Sequence, residues 1–239
     1  MARTATSETL WTHVYEALRA EILNGVHQPG ARLKPSELRG RFGVSVSVLR
    51  EALSRLAEQR LVTAQHNQGF RVIDLTEKGL RELTDIRVLV EGYALRQSIK
   101  KGDVAWESSV VAAHHLLTRT PTRSPENPTL TTEAWSQAHR QFHFALIDAC
   151  DMPMLLDLCS ALFDASELYR RLSAPPADEA RRDVAREHRE ICEAAVARDE
   201  GLAVMRLADH LERTTELVMR RMAAGRLAPA AHLETQRRS

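Results

Sequence analysis

The feature that most constrains this chain is a change of texture near Ile73-Asp74-Leu75-Thr76. Up to Asp74 the segments are short, punctuated by Gly25, Pro29-Gly30, Gly43 and Gly69, residues that break helices and make turns. Beyond Thr76 breakers are few, β-branched strand signals vanish, and the chain reads as long helices. A length of 239 residues suits one large or two ordinary domains. The expected architecture is mainly α: a small N-terminal domain over 1–75, an all-α helical bundle over 76–225, and a frayed tail over 226–239. Helices are expected near 76–100, 103–117, 131–150, 153–173, 177–198 and 200–224, with Thr76 placed to cap the first.

In the N-terminal part, Ser7 to Asn24 carries apolar residues at Leu10, Val14, Ala17, Leu18 and Ile22 and stops at Gly25, which predicts an amphipathic helix. Pro35 opens a second short helix reaching about Phe42, and Gly43 makes the turn. Ser45 caps a third helix to about Glu58. Leu61-Val62-Thr63 and Phe70-Arg71-Val72-Ile73 read as two strands around a tip at His66-Asn67-Gln68-Gly69. Helices joined by a glycine turn and followed by a β-hairpin form a winged helix-turn-helix. Its third helix fits the major groove of DNA. Residues 1–75 hold ten Lys/Arg against seven Asp/Glu, within a chain of net charge +1, so this domain is modestly basic.

The run from Pro35-Ser36-Glu37-Leu38 through Gly43-Val44-Ser45 to Leu49-Arg50-Glu51-Ala52-Leu53 resembles the signature of the GntR family. Ile22-Leu23-Asn24-Gly25, Pro29-Gly30-Ala31-Arg32-Leu33 and Gly69-Phe70-Arg71-Val72 match its flanking stretches. The resemblance implies a homodimer that binds an inverted-repeat operator in double-stranded DNA. This chain departs from the family at Val46, where arginine is usual, at Val48 for proline, at Ser36 for a base-reading arginine, and at Arg60 for the glycine that ends the recognition helix. Arg50 is left as the guanine reader, through a bidentate contact. Ser45 and Ser47 suit phosphate or base contacts, and Lys34, Ser36, Arg39, Arg41 and His66 complete the candidate DNA-binding set.

The bundle holds a constellation of histidines. His139 and His143 are four apart on one helix, hence on one face, and that face continues to Leu146 and Ile147. His188 and His210 lie on two later helices. Imidazoles at i and i+4, with others from opposite walls of a bundle, can chelate one divalent metal. His139-Arg140-Gln141-Phe142-His143 lacks the glutamate of a zinc-protease motif. Residues 76–224 also resemble the FCD sensor domain that accompanies this DNA-binding domain in the FadR subfamily. That resemblance implies a metal site at His143, His188 and His210, with His139 in place of an aspartate. All-imidazole ligation favours zinc or nickel. Four neutral ligands leave a dication uncompensated, which favours an anion such as the carboxylate of a small organic acid.

Arg87, one helical turn before Glu91, is either a binder of an effector carboxylate or half of a surface ion pair. If it binds, dicarboxylates are preferred. The resemblance extends to a branch controlling glutarate and aminobutyrate use, so C4–C6 dicarboxylates are the first expectation.

No apolar run approaches the roughly 20 residues of a membrane span, and the N-terminus lacks a signal peptide's apolar core. A cytoplasmic protein without a membrane partner is expected. Cys150, Cys159 and Cys192 form no C-x-x-C pair and are expected to be reduced and buried. The expected function is a transcription regulator, a repressor by preference, controlled by a carboxylate effector at the metal. The alternatives are a helical-bundle metalloenzyme, a hydrolase with no obvious general base, and a helical interaction module without metal.

Overall fold

The computed structural model describes residues 2–65, 69–123, 131–172 and 182–224, with side chains from Leu10 onward. They form two units. The first spans the chain up to Thr76 and also includes Asp164–Leu172, residues that the sequence alone assigns to the helical bundle.

In the first unit, α1 (Ala2–Leu23), α2 (Pro35–Phe42) and α3 (Val46–Glu58) pack with a small antiparallel sheet. Val14, Leu18 and Ile22 of α1 and Leu49, Ala52, Leu53 and Leu56 of α3 are buried in one core. Gly43 ends α2 at φ 65°, the left-handed region where a Cβ costs energy. Ser45 caps α3: its Oγ accepts from Val48 N at 3.3 Å. The hairpin strands are β2 (Val62–Gln65) and β3 (Gly69–Val72), in register Val62↔Val72 and Gln65↔Gly69. A third strand, β1 (Arg32–Leu33), pairs with the other edge of β3 to give the order β1-β3-β2. Two residues are too few for an alternating pattern, so β1 left no periodic signal in the sequence.

The second unit is helical: α4 (Glu77–Lys101), α5 (Val104–Arg119), α6 (Glu133–Ile147), α7 (Pro153–Leu172), α8 (Val184–Val196) and α9 (Glu200–Ala223). Side chains cap four of these helices. Asp103 accepts from Trp106 N, Thr132 from Trp135 N, Asp183 from Arg186 N and Asp199 from Leu202 N. The expected helix 131–150 is shorter and ends in a 3-10 turn, Asp148–Cys150. Pro153 opens α7 just beyond; it disfavours helical backbone at Met152 and so forces a break. Leu95, Phe142, Leu146 and Ile191 lie in the core of this unit. All three cysteines are free and buried. Burial raises the thiols of Cys159, to about 12, and of Cys192, to about 11, so they remain protonated at neutral pH. Helix α7 is divided at Phe163: its C-terminal half, with buried Leu168, belongs to the first unit's core. The expected helix near 177–198 is described from Val184, and the tail 226–239 lies outside the described residues.

Candidate metal centre and DNA-binding surface

The spacing of His139 and His143 puts both on the inner face of α6, one turn apart. Antiparallel packing of α8 and α9 brings His188 and His210 to the same place. All four are buried, at 3–4% exposure. One ligand atom from each lies within 4.8 Å of the others. Nitrogens bound to one ion at about 2.1 Å are at most about 4.2 Å apart. Around a tetrahedral ion they are about 3.4 Å apart, so the widest pair would close by roughly 1.4 Å at most for joint ligation.

The surroundings set the tautomers. Glu187 Oε2 lies 2.9 Å from His210 Nδ1. Burial alone would raise the Glu187 carboxyl. Hydrogen bonds from His210 and Arg182, with the Arg182 charge, outweigh it and hold this group well below the usual carboxylate range. An ionised carboxylate only accepts, so Nδ1 of His210 carries the proton and Nε2 keeps its lone pair. Arg182 pairs with Glu187 and also donates to His210 O at 2.9 Å and Thr214 Oγ1 at 2.8 Å. Desolvation holds His210 neutral, with its pKa near 4, and pushes His188 well below its ordinary value. His188 Nε2 is buried with no hydrogen-bond partner among the described residues. Neutral imidazoles with available lone pairs are the form a metal takes. The ring of Trp135 stacks on His139 at 4.8 Å and 16°, holding that imidazole in place.

Arg87 is buried at 6% exposure, so the surface ion-pair alternative falls away. Its Nε and Nη2 donate to the two carboxylate oxygens of Glu91 at 2.6 and 3.2 Å. Its guanidinium sits 5.4 Å from the centroid of Phe163, whose ring is 5.7 and 5.8 Å from His139 and His143. One aromatic ring thus separates the buried ion pair from the imidazole cluster. The roles of Glu187 and Arg182 were not anticipated. Glu187 adjoins His188 in sequence, but its partner is 23 residues further on, and no spacing rule reaches that far.

In the first unit, Lys34, Ser36, Arg39, Arg41, Ser45, Ser47 and Arg50 are all exposed. Arg50 makes no hydrogen bond or ion pair among the described residues, and it points away from the buried Leu49, Ala52 and Leu53. Ser45 and Ser47 hydroxyls are 2.8 Å apart at the start of α3. Lys34 is tied to Glu37 at 2.7 Å, and Arg41 pairs with Glu21. These two are therefore less available to phosphate than Arg39 and Arg50. His66 lies outside the described residues.

Residues 10–72 match the bacterial regulatory proteins of the gntR family, and residues 82–213 match the FCD domain. The chain is 37% identical over 204 residues to the HTH-type transcriptional regulator BphR of Paraburkholderia xenovorans (strain LB400), covering 85% of this chain and 83% of that one. The chain belongs to the GntR family, in the branch that carries an FCD domain. This GntR regulator is also 31% identical over 212 residues to the HTH-type transcriptional repressor GlaR of Escherichia coli (strain K12), covering 87% and 96% of the two chains. A crystal structure of a GntR transcriptional regulator from Rhodococcus sp. RHA1 superposes with a TM-score of 0.67 at 25% identity, over 87% of this chain and 97% of that one. The GntR protein is thus a DNA-binding transcriptional regulator, and the families and relatives it matches here are regulators, not hydrolases. Among its described residues no helix is long and apolar enough to cross a membrane.

Proposed function

We propose that this GntR regulator is a repressor of the FadR subfamily. It binds an inverted-repeat operator as a homodimer and is controlled by a small organic acid at a metal held by His139, His143, His188 and His210. The observation that carries the reading is the four buried imidazoles with ligand atoms within 4.8 Å. A single wHTH reads one half-site, so an inverted repeat calls for two copies. Repression is supported by the names of relatives: GlaR, and the gluconate operon transcriptional repressor of Bacillus subtilis (strain 168), which is 35% identical over 83 residues.

Zinc or nickel suits four imidazoles. Such a metal supplies positive charge without a ligand carboxylate to offset it, which favours an anionic effector. Arg87, oriented by Glu91, is the second anchor, so C4–C6 dicarboxylates are preferred over monocarboxylates. The effector acts only if it binds the DNA-competent and DNA-incompetent dimers unequally.

The test is elemental analysis of protein never exposed to chelator, followed by gel shifts on its own promoter region. Mono- and dicarboxylates are added to metal-loaded and metal-free samples. About one ion per chain and a dicarboxylate-dependent change in operator binding, confined to loaded protein, is the expected result. No metal at isolation together with no uptake on titration, or equal response without metal, defeats the reading.

A further inference from the structure

Several helical hydroxyls of this protein find their partner by turning back along the backbone. Thr84 donates to Leu80 O at 2.9 Å, Ser108 to Val104 O at 2.8 Å, Thr118 to His114 O at 2.9 Å and Thr214 to His210 O at 2.8 Å. Ser136 of α6 does not. Its backbone N–H donates to Thr132 O at 3.1 Å, so that carbonyl stands close by. Yet Ser136 Oγ has no hydrogen-bond partner among the described residues. The residue is 4% exposed, so bulk solvent does not supply one. A buried hydroxyl without a partner costs free energy, and a native protein keeps such a group for a reason.

The place of Ser136 on α6 supplies the reason. Ser136, His139 and His143 fall at i, i+3 and i+7, hence on one face, and all three are buried. Ser136 precedes His139 by about 4.5 Å along the axis, one turn away. Its neighbour Trp135 stacks on the same imidazole. The wall that carries two of the four imidazoles therefore also carries an uncommitted neutral donor. An organic acid brought to that cluster presents two carboxylate oxygens, and each calls for a donor once water is excluded. Arg87 is already engaged by Glu91 through Nε and Nη2. Ser98 of α4 is a useful contrast. It too is buried with no partner for its Oγ among the described residues. The turns beside it carry Ala94, Leu95, Lys101 and Gly102, and Lys101 donates to Cys150 O at 2.7 Å.

We propose that Ser136 is an effector-binding residue, whose hydroxyl donates to the carboxylate of the small organic acid taken up at the four imidazoles. This rests on the reading of that cluster as the effector site and adds a residue that selects for the acid without holding the metal.

The test compares full-length wild type, Ser136→Ala and Ser98→Ala, each metal-free and loaded with zinc or nickel. Metal content is measured by elemental analysis. Melting temperature is followed while acetate, succinate, glutarate and adipate are titrated in. Wild-type loaded protein is expected to melt higher with at least one of these acids. The midpoint of that titration is expected to weaken roughly tenfold or more in Ser136→Ala, the size of one hydrogen bond to a charged group. Ser98→Ala is expected to titrate like wild type. Metal content is expected to be equal in all three proteins. Metal-free Ser136→Ala is expected to melt no lower than metal-free wild type, because the deleted hydroxyl has no partner there. If no acid raises the melting temperature of loaded wild type, the effector reading and this inference fall together. A wild type that responds while Ser136→Ala titrates equally well overturns the role of Ser136 alone. So does equal weakening in Ser98→Ala, which marks a packing effect, or a loss of metal or of metal-free stability in Ser136→Ala, which marks a structural one.

Discussion

At the scale of single residues, the two candidate sites depend on opposite treatments of charge. Arg50 keeps its guanidinium exposed and unpaired among the described residues, ready for a base edge. Arg50→Ala is expected to weaken specific operator binding by about 1–3 kcal/mol, with an unchanged circular-dichroism spectrum and melting temperature. Wild-type affinity in that variant would move the reading residue elsewhere. His188 and His210 are instead held neutral by burial. The pKa of His210 falls to about 4 from an ordinary 6.5, and that of His188 falls well below the same value. The unfolded chain therefore binds protons in this interval that the folded chain refuses. Their contribution to stability is complete above about pH 6.5 and is lost as pH falls towards 4. Chelator-treated protein should show a melting temperature that drops steadily from pH 7 to pH 4.5. Replacing His210 by Gln should flatten part of that drop.

At the scale of elements, two helix ends use the same motif with different outcomes. Helix α3 closes with Arg60 N on Ala57 O and Leu61 N on Leu56 O, and Arg60 sits at φ 56°. Helix α8 closes with Arg198 N on Ala195 O and Asp199 N on Ala194 O, and Arg198 sits at φ 60°. Both are left-handed positions where glycine is favoured. The Arg60 side chain is exposed and makes no bond among the described residues, so Arg60→Gly should stabilise the protein by about 1 kcal/mol in urea unfolding. Arg198 does far more. It donates to Ile99 O at 2.6 Å and Gly102 O at 2.8 Å, carbonyls at the end of α4, pairs with Glu107, and stacks on Trp106. Arg198→Gly should therefore destabilise by about 1–2 kcal/mol despite the same backbone relief. Equal signs for the two variants would show that backbone strain, not the guanidinium clamp, governs α8.

At the scale of the whole molecule, the metal is expected to act as a cross-brace. Its ligands would come from α6, α8 and α9, and of these α8 and α9 are already tied beside it by the Glu187–His210 bond. An ion that binds only the folded form stabilises by RT ln(1 + [M]/Kd), about 4 kcal/mol at a thousandfold excess over Kd. Removing it with chelator should lower the melting temperature by several degrees, and adding zinc or nickel back should restore it. His188→Ala with His210→Ala should abolish that response. Unchanged melting after complete removal would mean that the bundle is braced by packing alone.

Much of this protein was legible from its residues. Gly43 and Ser45 marked the turn and cap of the helix-turn-helix, because a left-handed turn and a cap each demand particular side chains. His139 and His143 declared a shared face, because helical spacing is local arithmetic. His188 and His210 could be grouped with them as further donors from opposite walls of a bundle, a grouping the resemblance then strengthened. Other features were decided by tertiary structure. Strand β1 exists because β3 offers it an edge, and two residues carry no period of their own. Arg87 became a buried partner of Glu91 because of what packs over α4, whereas its i,i+4 spacing fits a surface pair equally well. The Glu187–His210 bond and the membership of Asp164–Leu172 in the first unit arise between residues far apart in the chain. Sequence periodicity records which way a side chain points along its own helix. It does not record what stands opposite.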